Sequence, residues 1–193
     1  MPDRVNLAPA FNFQVKLLLS PISIEGRERD PAQEATAEKL VADGAFQECS
    51  GLDVEMDVQE YLEGGRNDGV IKRVGRAKYQ QLVLKRGMFY NVSQPPPARG
   101  EAPPPPTKTV DPQLWKWFQD VVSGKRPVPR YDGIVEVLPR LHDPKAQQET
   151  PVARWFFDRG LPAKVVGPQL NARTGEVAIE ELHIAHEGLR LVF

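Results

Sequence analysis

Apolar and polar residues alternate in several segments of the chain, which is the pattern of strands that bury one face. The segment from Phe11 to Leu19 alternates in this way and predicts the first strand. The same period recurs from Leu52 to Gln59, where acidic or polar side chains separate the apolar ones, so one core face and one charged face are expected. Further β-rich segments are predicted at residues 70–87, 134–138 and 152–159.

The last predicted strand contains a break in its alternation. Val177 and Ile179 share one phase, whereas Leu182 and Ile184 have the opposite parity. One extra residue moves all later side chains across a sheet, so a β-bulge at residues 180–181 would restore a common apolar face. The sequence predicts that bulge, because the strand would otherwise bury charge.

One amphipathic helix is predicted in the second half of the chain. Asp111 and Pro112 supply an N-cap and a proline suited to a first helical turn, and Gly124 lies where the helix should end. The apolar residues that recur at helical spacing between them are Leu114, Trp117, Phe118, Val121 and Val122. We expect the aromatic face of this helix to pack into the core.

Two other segments differ in composition from the predicted strands. Residues 20–43 become rich in alanine and glutamate towards their end, which favours a short helix that stops at Gly44. Residues 94–107 contain seven prolines, which remove backbone donors and favour polyproline II. This proline-rich segment is expected to be a stiff linker or surface arm, with a ligand for a groove-type recognition domain as the alternative.

Charge divides residues 48–86 into two halves, joined by a glycine-rich turn at residues 63–69. The first half, up to Glu63, carries only acids, and the second half, from Arg66, carries bases apart from Asp68. The halves either pair within one chain, where exposed ion pairs contribute about 0 to 1 kcal/mol each, or meet between copies and set their orientation. The residues predicted to contact a neighbouring copy are Asp53, Glu55, Asp57, Glu63, Gly64, Gly65, Arg66, Asn67, Lys72, Arg73, Lys85 and Arg86.

Several short motifs occur in a fixed order along the chain. The first three are FQECSGL, EYLEGGRN and YQQLVLKRG, which begin at Phe46, Glu60 and Tyr79. The later ones are Leu114-Trp115-Lys116-Trp117, Trp155-Phe156 with Leu161-Pro162-Ala163-Lys164, Gly167-Pro168-Gln169-Leu170-Asn171-Ala172, and Val177-Ala178-Ile179-Glu180 with His186-Glu187-Gly188-Leu189. In this order they resemble the tail-tube proteins of contractile phages and phage-like contractile injection systems.

The resemblance implies a mainly β subunit with one main helix, a sandwich or barrel-like fold that closes into hexameric rings and stacks into a hollow tube. It implies further copies, a sheath protein, baseplate, spike or hub proteins, and passing cargo or DNA as partners. Assembly in the bacterial cytoplasm and a place in a phage tail or injection particle follow from it as expectations. Compared with the family pattern, residues 20–43 and 91–110 are expected to be insertions in a single domain that spans residues 1–193.

Composition limits the classes of function. A chain of 193 residues suits one domain, and a net charge of -1 points to neither nucleic acid nor an anionic membrane. The single cysteine, Cys49, excludes an intramolecular disulfide and fits a reducing compartment. No apolar run approaches the ~18 residues of a membrane span, so none is expected.

His183, His186 and Glu187 are the residues that most resemble a metal or general-base site. They lie in a predicted strand, whereas zinc sites on helices combine two histidines four residues apart with a third ligand. A structural role is favoured, and the sequence contains no nucleophile elbow, Walker loop or Cys-x-x-Cys motif. The sequence predicts that the protein is not an enzyme and has no catalytic, metal or cofactor-binding residues and no cofactor.

Three functions therefore stay open. The first is a structural subunit of the inner tube, which lines a conduit for DNA or effector delivery. The second is a baseplate-proximal tube initiator that joins the tube to a spike or hub; it would share the motifs, and the two insertions favour it. The third, of another class, is a β-sandwich binding module or hydrolase that uses His183, His186 and nearby carboxylates.

Overall fold

The structure is a computed structural model that describes residues 8–20, 40–44, 46–65, 67–88, 90–93, 107–139, 150–173 and 175–192. Its strands are β1 (Phe13–Leu19), β2 (Leu40–Gly44), β3 (Glu48–Ser50), β4 (Val54–Tyr61), β5 (Ile71–Tyr79), β6 (Leu82–Gly87), β7 (Tyr90–Ser93), β8 (Thr107–Val110), β9 (Tyr131–Val137), β10 (Ala153–Val166), β11 (Ile179–Ala185) and β12 (Gly188–Val192). The helix α1 (Gln113–Val122) lies between β8 and β9. The predicted mainly β fold with one main helix is confirmed.

Strand β10 is 14 residues long and belongs to two sheets. Its first half pairs with β9 on one side and β12 on the other, in a sheet that continues through β1 to β2. Its second half pairs with β11, which continues through β6 to β3. The strand turns between these halves at Arg159, whose φ of 51° lies in the left-handed region, and the register with β9 shifts at the same place. One continuous strand thus forms the corner of a sandwich.

The core fills the space between the two sheets. Val15 from β1, Leu84 from β6 and Ile184 from β11 are each at most 1% exposed. Phe157 lies at the centre of this core, and Gly133 makes room for it. A β-carbon on Gly133 would lie 2.0 Å from Phe157 Cε1, so only glycine fits the close approach of β9 to this ring.

Helix α1 packs against the core through its buried face. The predicted amphipathic helix is confirmed. Leu114 and Trp117 are buried, whereas Val122 is 70% exposed, so the apolar face is narrower than the sequence predicts. The structure places Pro112 at the N-cap, and the Asp111 carboxylate accepts the Gln113 N–H at 3.2 Å. Among the residues that the structure describes, no helix has the length and apolar character needed to cross a membrane.

The segment before Gly44 corrects one prediction. Residues 40–44 form β2, which pairs antiparallel with β1, so the predicted short helix does not extend to Gly44. Pairing with a neighbouring strand overrides the helical preference of an alanine- and glutamate-rich segment. Residues 21–39, which hold the rest of that predicted helix, lie outside the described residues.

The predicted bulge in β11 is wrong. Pairing of β11 with β6 is continuous from Ile179 to Ile184, and Glu180 shares the buried face with Leu182. Glu180 is 2% exposed because Arg86, opposite it on β6, supplies a buried positive charge. The strand therefore does bury a carboxylate, and it does so with a partner.

Candidate functional site: an exposed hairpin

Strands β4 and β5 form an antiparallel hairpin that lies outside the sandwich. Its register runs from Val54 opposite Tyr79 to Tyr61 opposite Ile71, with one irregularity between Met56 and Val58. The two strands pack mainly on each other. At about 3.3 Å per residue, the eight residues of β4 extend roughly 26 Å. The hairpin is a projecting ribbon rather than part of the core.

One face of the hairpin is apolar and exposed. Val54, Met56 and Val58 share this face and are 51%, 50% and 62% exposed. Val74, directly opposite Val58 on β5, is 72% exposed. The prediction that the apolar residues of this segment face the core of their own chain is therefore wrong for Val54, Met56 and Val58. Of the four, Leu52, which precedes the hairpin, packs against the core. A ribbon with an apolar face that its own chain does not cover is a candidate interaction surface.

The opposite face of the hairpin carries charge. Glu55 lies opposite Lys78, whose ammonium is 2.6 Å from the Asp57 carboxylate. That hydrogen bond, with the nearby carboxylate charge, raises the pKa of Lys78. Arg73 lies opposite Gln59, and its guanidinium carbon is 4.6 Å from the centre of the Tyr61 ring. Acidic β4 and basic β5 thus pair within one chain. This pairing is the first of the two interpretations of the charge division; the second is contact between copies.

Lys85 also pairs within the chain. Its ammonium is 2.9 Å from the Glu48 carboxylate on β3 and 3.9 Å from that of Glu181 on β11. These partners join three neighbouring strands of the second sheet. The sequence predicts that Lys85 contacts a neighbouring copy. Such a contact would compete with the Glu48 and Glu181 carboxylates for the same ammonium.

Arg86 differs from the other predicted contact residues because it is buried. Its guanidinium lies 2.5 Å from a Glu180 oxygen and 3.2 Å from the Asp111 carboxylate. The second Glu180 oxygen accepts the Trp115 indole N–H at 3.1 Å. This buried network, Arg86 with Glu180, Asp111 and Trp115, connects β6 and β11 to helix α1. The side chain is 5% exposed, so within this chain it is a core residue rather than a surface contact.

The remaining predicted contact residues lie around the hairpin. Asp53 is exposed immediately before β4, and Lys72 is exposed on β5 opposite Glu60. The turn contains Glu63, Gly64, Gly65 and Asn67, all exposed. A φ of 89° at Gly65 requires the glycine there. Arg66 lies outside the described residues.

The base of the hairpin touches the core through His186. Its ring is 5.6 Å from the rings of both Tyr79 and Phe157, measured between centroids. Burial lowers the pKa of His186, although the charge of Asp158 opposes that effect. Neither ring nitrogen has a hydrogen-bond partner in the described part of the chain. His186 is thus a packing residue at the junction of hairpin and body, in line with the structural role favoured for it.

The histidines do not assemble a catalytic or metal site within the described residues. His183 contacts the Glu181 carboxylate, and no group of three or more His, Cys, Asp or Glu side chains is placed to hold a metal ion in those ranges. Burial, followed by the charge of Glu48, raises the pKa of the Cys49 thiol to about 12, so this cysteine is a poor nucleophile. The absence of catalysis and cofactors stays a prediction.

A second ribbon was not predicted from the sequence. Strands β7 and β8 pair from Tyr90 opposite Val110 to Ser93 opposite Thr107. The proline-rich residues 94–106 lie outside the described residues, but the residues on either side of them are neighbours in a ladder. The segment therefore begins and ends at one place rather than connecting distant elements. Short β-rich runs on both sides of the prolines, YNVS and TKTV, are the signal that could have predicted the pairing.

The chain is thus a β-sandwich with one helix and a projecting hairpin whose apolar face is exposed. A family model is more specific: the T4-like virus tail tube protein gp19 matches residues 9–95 and 107–190. The chain belongs to this family, so the predicted tail-tube family and structural role are confirmed. No curated protein matches the chain.

Several solved structures share this fold. A chain of the anti-feeding prophage (AFP) baseplate is 21% identical, with a TM-score of 0.66 over 98% of this chain and 97% of that one. A chain of the PVC sheath-tube complex, from an extracellular contractile injection system, is 16% identical, with a TM-score of 0.62 over 96% and 91%. A chain of the AFP tube terminating cap is 16% identical, with a TM-score of 0.60 over 98% and 95%. At these identities the likeness shows the fold.

Proposed function

We propose that the chain is a subunit of the inner tube of a contractile phage tail or injection system, and that six copies close into a ring that stacks around a conduit. Family membership supports the tube, and the exposed hairpin is the observation that supports assembly. The described residues of the chain leave the apolar face of Val54, Met56, Val58 and Val74 uncovered. Contact with a second copy would remove it from water, and each square ångström of apolar surface buried contributes roughly 25 cal/mol.

The sandwich offers further surfaces for assembly. In the first sheet, β2 and β12 are terminal strands that pair on one side only among the described elements. Unpaired strand edges present free N–H and C=O groups that a neighbouring strand can satisfy. A head-to-tail contact between one such edge and a different surface of the next copy generates a ring when the rotation closes.

A tube initiator at the baseplate is the second candidate. The family model leaves residues 96–106 unmatched, and the β7–β8 ribbon brings the two ends of this segment together. A chain of the AFP baseplate is also among the similar structures. An inserted loop presented on a ribbon is a feature that a specialised ring could use to bind a spike or hub. Insertions at residues 20–43 and 91–110 of a single domain remain part of this proposal.

The proposed partners are further copies, a sheath, baseplate proteins and the DNA or protein cargo in the lumen. Assembly would take place in the bacterial cytoplasm. The proposed work of the subunit is structural rather than catalytic. Among the charged residues that the sequence predicts to contact a neighbouring copy, the exposed ones, including Lys72 and Arg73, are proposed to make that contact.

Reversing both Lys72 and Arg73 to glutamate is expected to weaken ring formation. The two side chains lie on a ribbon that projects from its own sandwich, so in the proposed ring their charges would face a neighbouring copy. Each exposed ion pair contributes about 0 to 1 kcal/mol, and the reversal adds repulsion, so we expect roughly tenfold weaker association per contact. Light scattering across a salt series measures the effect, which should shrink as ions screen charges beyond about 8 Å.

The matched control is the double substitution Lys116→Glu with Arg173→Glu, which makes the same charge change at exposed positions on α1 and in the turn between β10 and β11. Rings of this control should form as in the wild type. If the Lys72 and Arg73 variant assembles like the control at low salt, the hairpin charges serve only the pairs within each chain.

A further inference from the structure

A cleft of about 590 Å³ opens between the end of α1, the loop that follows it and the corner of β10. Its apolar wall consists of Leu19, Pro127, Val128, Pro129 and Tyr131. No residue of the hairpin lines the cleft, and neither the family pattern nor the charge division in the sequence points to it. A cavity of this size accommodates a small ligand or one or two side chains of a bound peptide.

The rim of the cleft is cationic. Lys125, Arg126, Arg130 and Arg159 line it with a single carboxylate, Asp120. Lys125 pairs with Asp120 at 2.7 Å, and Arg130 and Arg159 share Glu187 at 2.5 and 2.8 Å. Arg126 is exposed and makes no ion pair with any described residue. The rim therefore keeps an excess of positive charge after its internal pairs are made.

Hydrogen bonds hold the loop and the corner in place. The Pro129 carbonyl accepts the Trp117 indole N–H at 2.9 Å, which ties the loop to the buried face of α1. The Ser20 N–H donates to the Arg130 carbonyl at 2.8 Å, and the Arg130 guanidinium donates to the Arg159 carbonyl at 3.2 Å. The apolar wall and the cationic rim are thus formed before any ligand binds, which reduces the entropy cost of binding.

We propose that this cleft binds an acidic peptide segment of another protein, with one apolar side chain of that segment against Val128 and carboxylates at Arg126 and its neighbours. A second copy of the chain is the poorer occupant. The hairpin end of this chain, residues 60–73, carries Glu60, Glu63 and Asp68 but also Arg66, Lys72 and Arg73, so it has no net negative charge. The proposal concerns a surface separate from the contacts between copies, and it stands whether or not the rings have six members.

A short fluorescein-labelled peptide of alternating glutamate and leucine tests the proposal by fluorescence anisotropy with the full chain. The peptide should bind saturably, and higher salt should weaken binding. Arg126→Glu should weaken it about tenfold, because reversal replaces an exposed attraction with a repulsion. Val128→Ser should weaken it severalfold, because it removes apolar surface from the cleft wall. Lys116→Glu, the same charge change on the exposed face of α1, should leave binding within about twofold.

Two control peptides test the contributions of peptide charge and of apolar contact separately. The peptide with lysine in place of glutamate should not bind, and the one with serine in place of leucine should bind more weakly. Equal losses for Arg126→Glu and Lys116→Glu, or no saturable binding, would overturn the proposal. Loss of rings in Arg126→Glu with an unchanged melting temperature would show that the cleft joins copies, which also overturns it. The outcome is independent of the proposed tube function, which is judged by ring formation in the wild type.

Discussion

Arg86→Met is expected to cost about 3–5 kcal/mol of unfolding free energy, because it leaves the Glu180 carboxylate buried without its positive partner. Glu180 is 2% exposed, and the Trp115 indole would be its one remaining partner among those described. Burying a lone carboxylate is costly, so the protein must either protonate it or admit water. The expected result is a large fall in the urea midpoint. Glu180→Met should also lower the urea midpoint but by less, because the buried guanidinium keeps the Asp111 carboxylate 3.2 Å away as a partner.

The double substitution Arg86→Met with Glu180→Met distinguishes a buried pair from simple loss of packing. Replacing both members with apolar side chains of similar size is often neutral or stabilising, so the double variant should be more stable than either single variant. Lys85→Met, one residue away on the same strand, removes a partly exposed pair and should cost at most about 1 kcal/mol. Additive losses in the double variant would show that the two charges do not act as a pair.

Val58→Glu, or Val74→Glu made separately, is expected to abolish ring formation and to leave the melting temperature of the single subunit nearly unchanged. Each valine is more than half exposed in the lone chain, so a carboxylate there remains in water. In an assembly that covers this face, the same carboxylate would be buried without a partner and would cost several kcal/mol at every contact. Size-exclusion chromatography with light scattering measures the assembly.

The control for the hairpin is Val122→Glu. Val122 is 70% exposed on α1, so the substitution makes the same chemical change at a similar exposure elsewhere. Rings of this variant should form normally. A large drop in melting temperature for the Val58 or Val74 variants would mean that the hairpin packs on its own sandwich. Normal rings from them would mean that its apolar face is not a contact between copies.

Local periodicity was enough to predict most strands and the helix. The alternation at Phe13–Leu19 and the helical spacing after Asp111 each fall within one element, so the sequence displays them directly. Strand β2 was missed because its composition favours a helix, and only pairing with β1 determines its conformation. A partner from another part of the chain is what a local pattern does not contain.

Glu180 is a second residue whose environment depends on a partner from a distant part of the chain. A glutamate between apolar positions normally indicates a break in the strand, and here its partner Arg86 lies 94 residues earlier in the chain. The bulge prediction assumed that no such partner existed. Once the register places the two residues opposite each other on β6 and β11, a regular strand with a buried ion pair satisfies both charges.

The hairpin shows a limit of another kind. Alternation in Val54, Met56 and Val58 predicts a face removed from water, but the pattern is the same whether the cover comes from the same chain or from another copy. The sequence therefore predicted the strand and its apolar face, but the expectation that this face lies in the core of its own chain was wrong. The charge division between β4 and β5 had the same ambiguity, and the structure shows at least part of it paired within the chain.

Negative-stain electron microscopy of the purified wild-type chain, with its mass measured by light scattering on the same sample, tests the tube proposal most directly. The proposed function predicts hollow rings with the mass of six copies, and stacks of such rings at higher concentration. A monomer at every concentration and salt tested, with no rings on the grid, would contradict it.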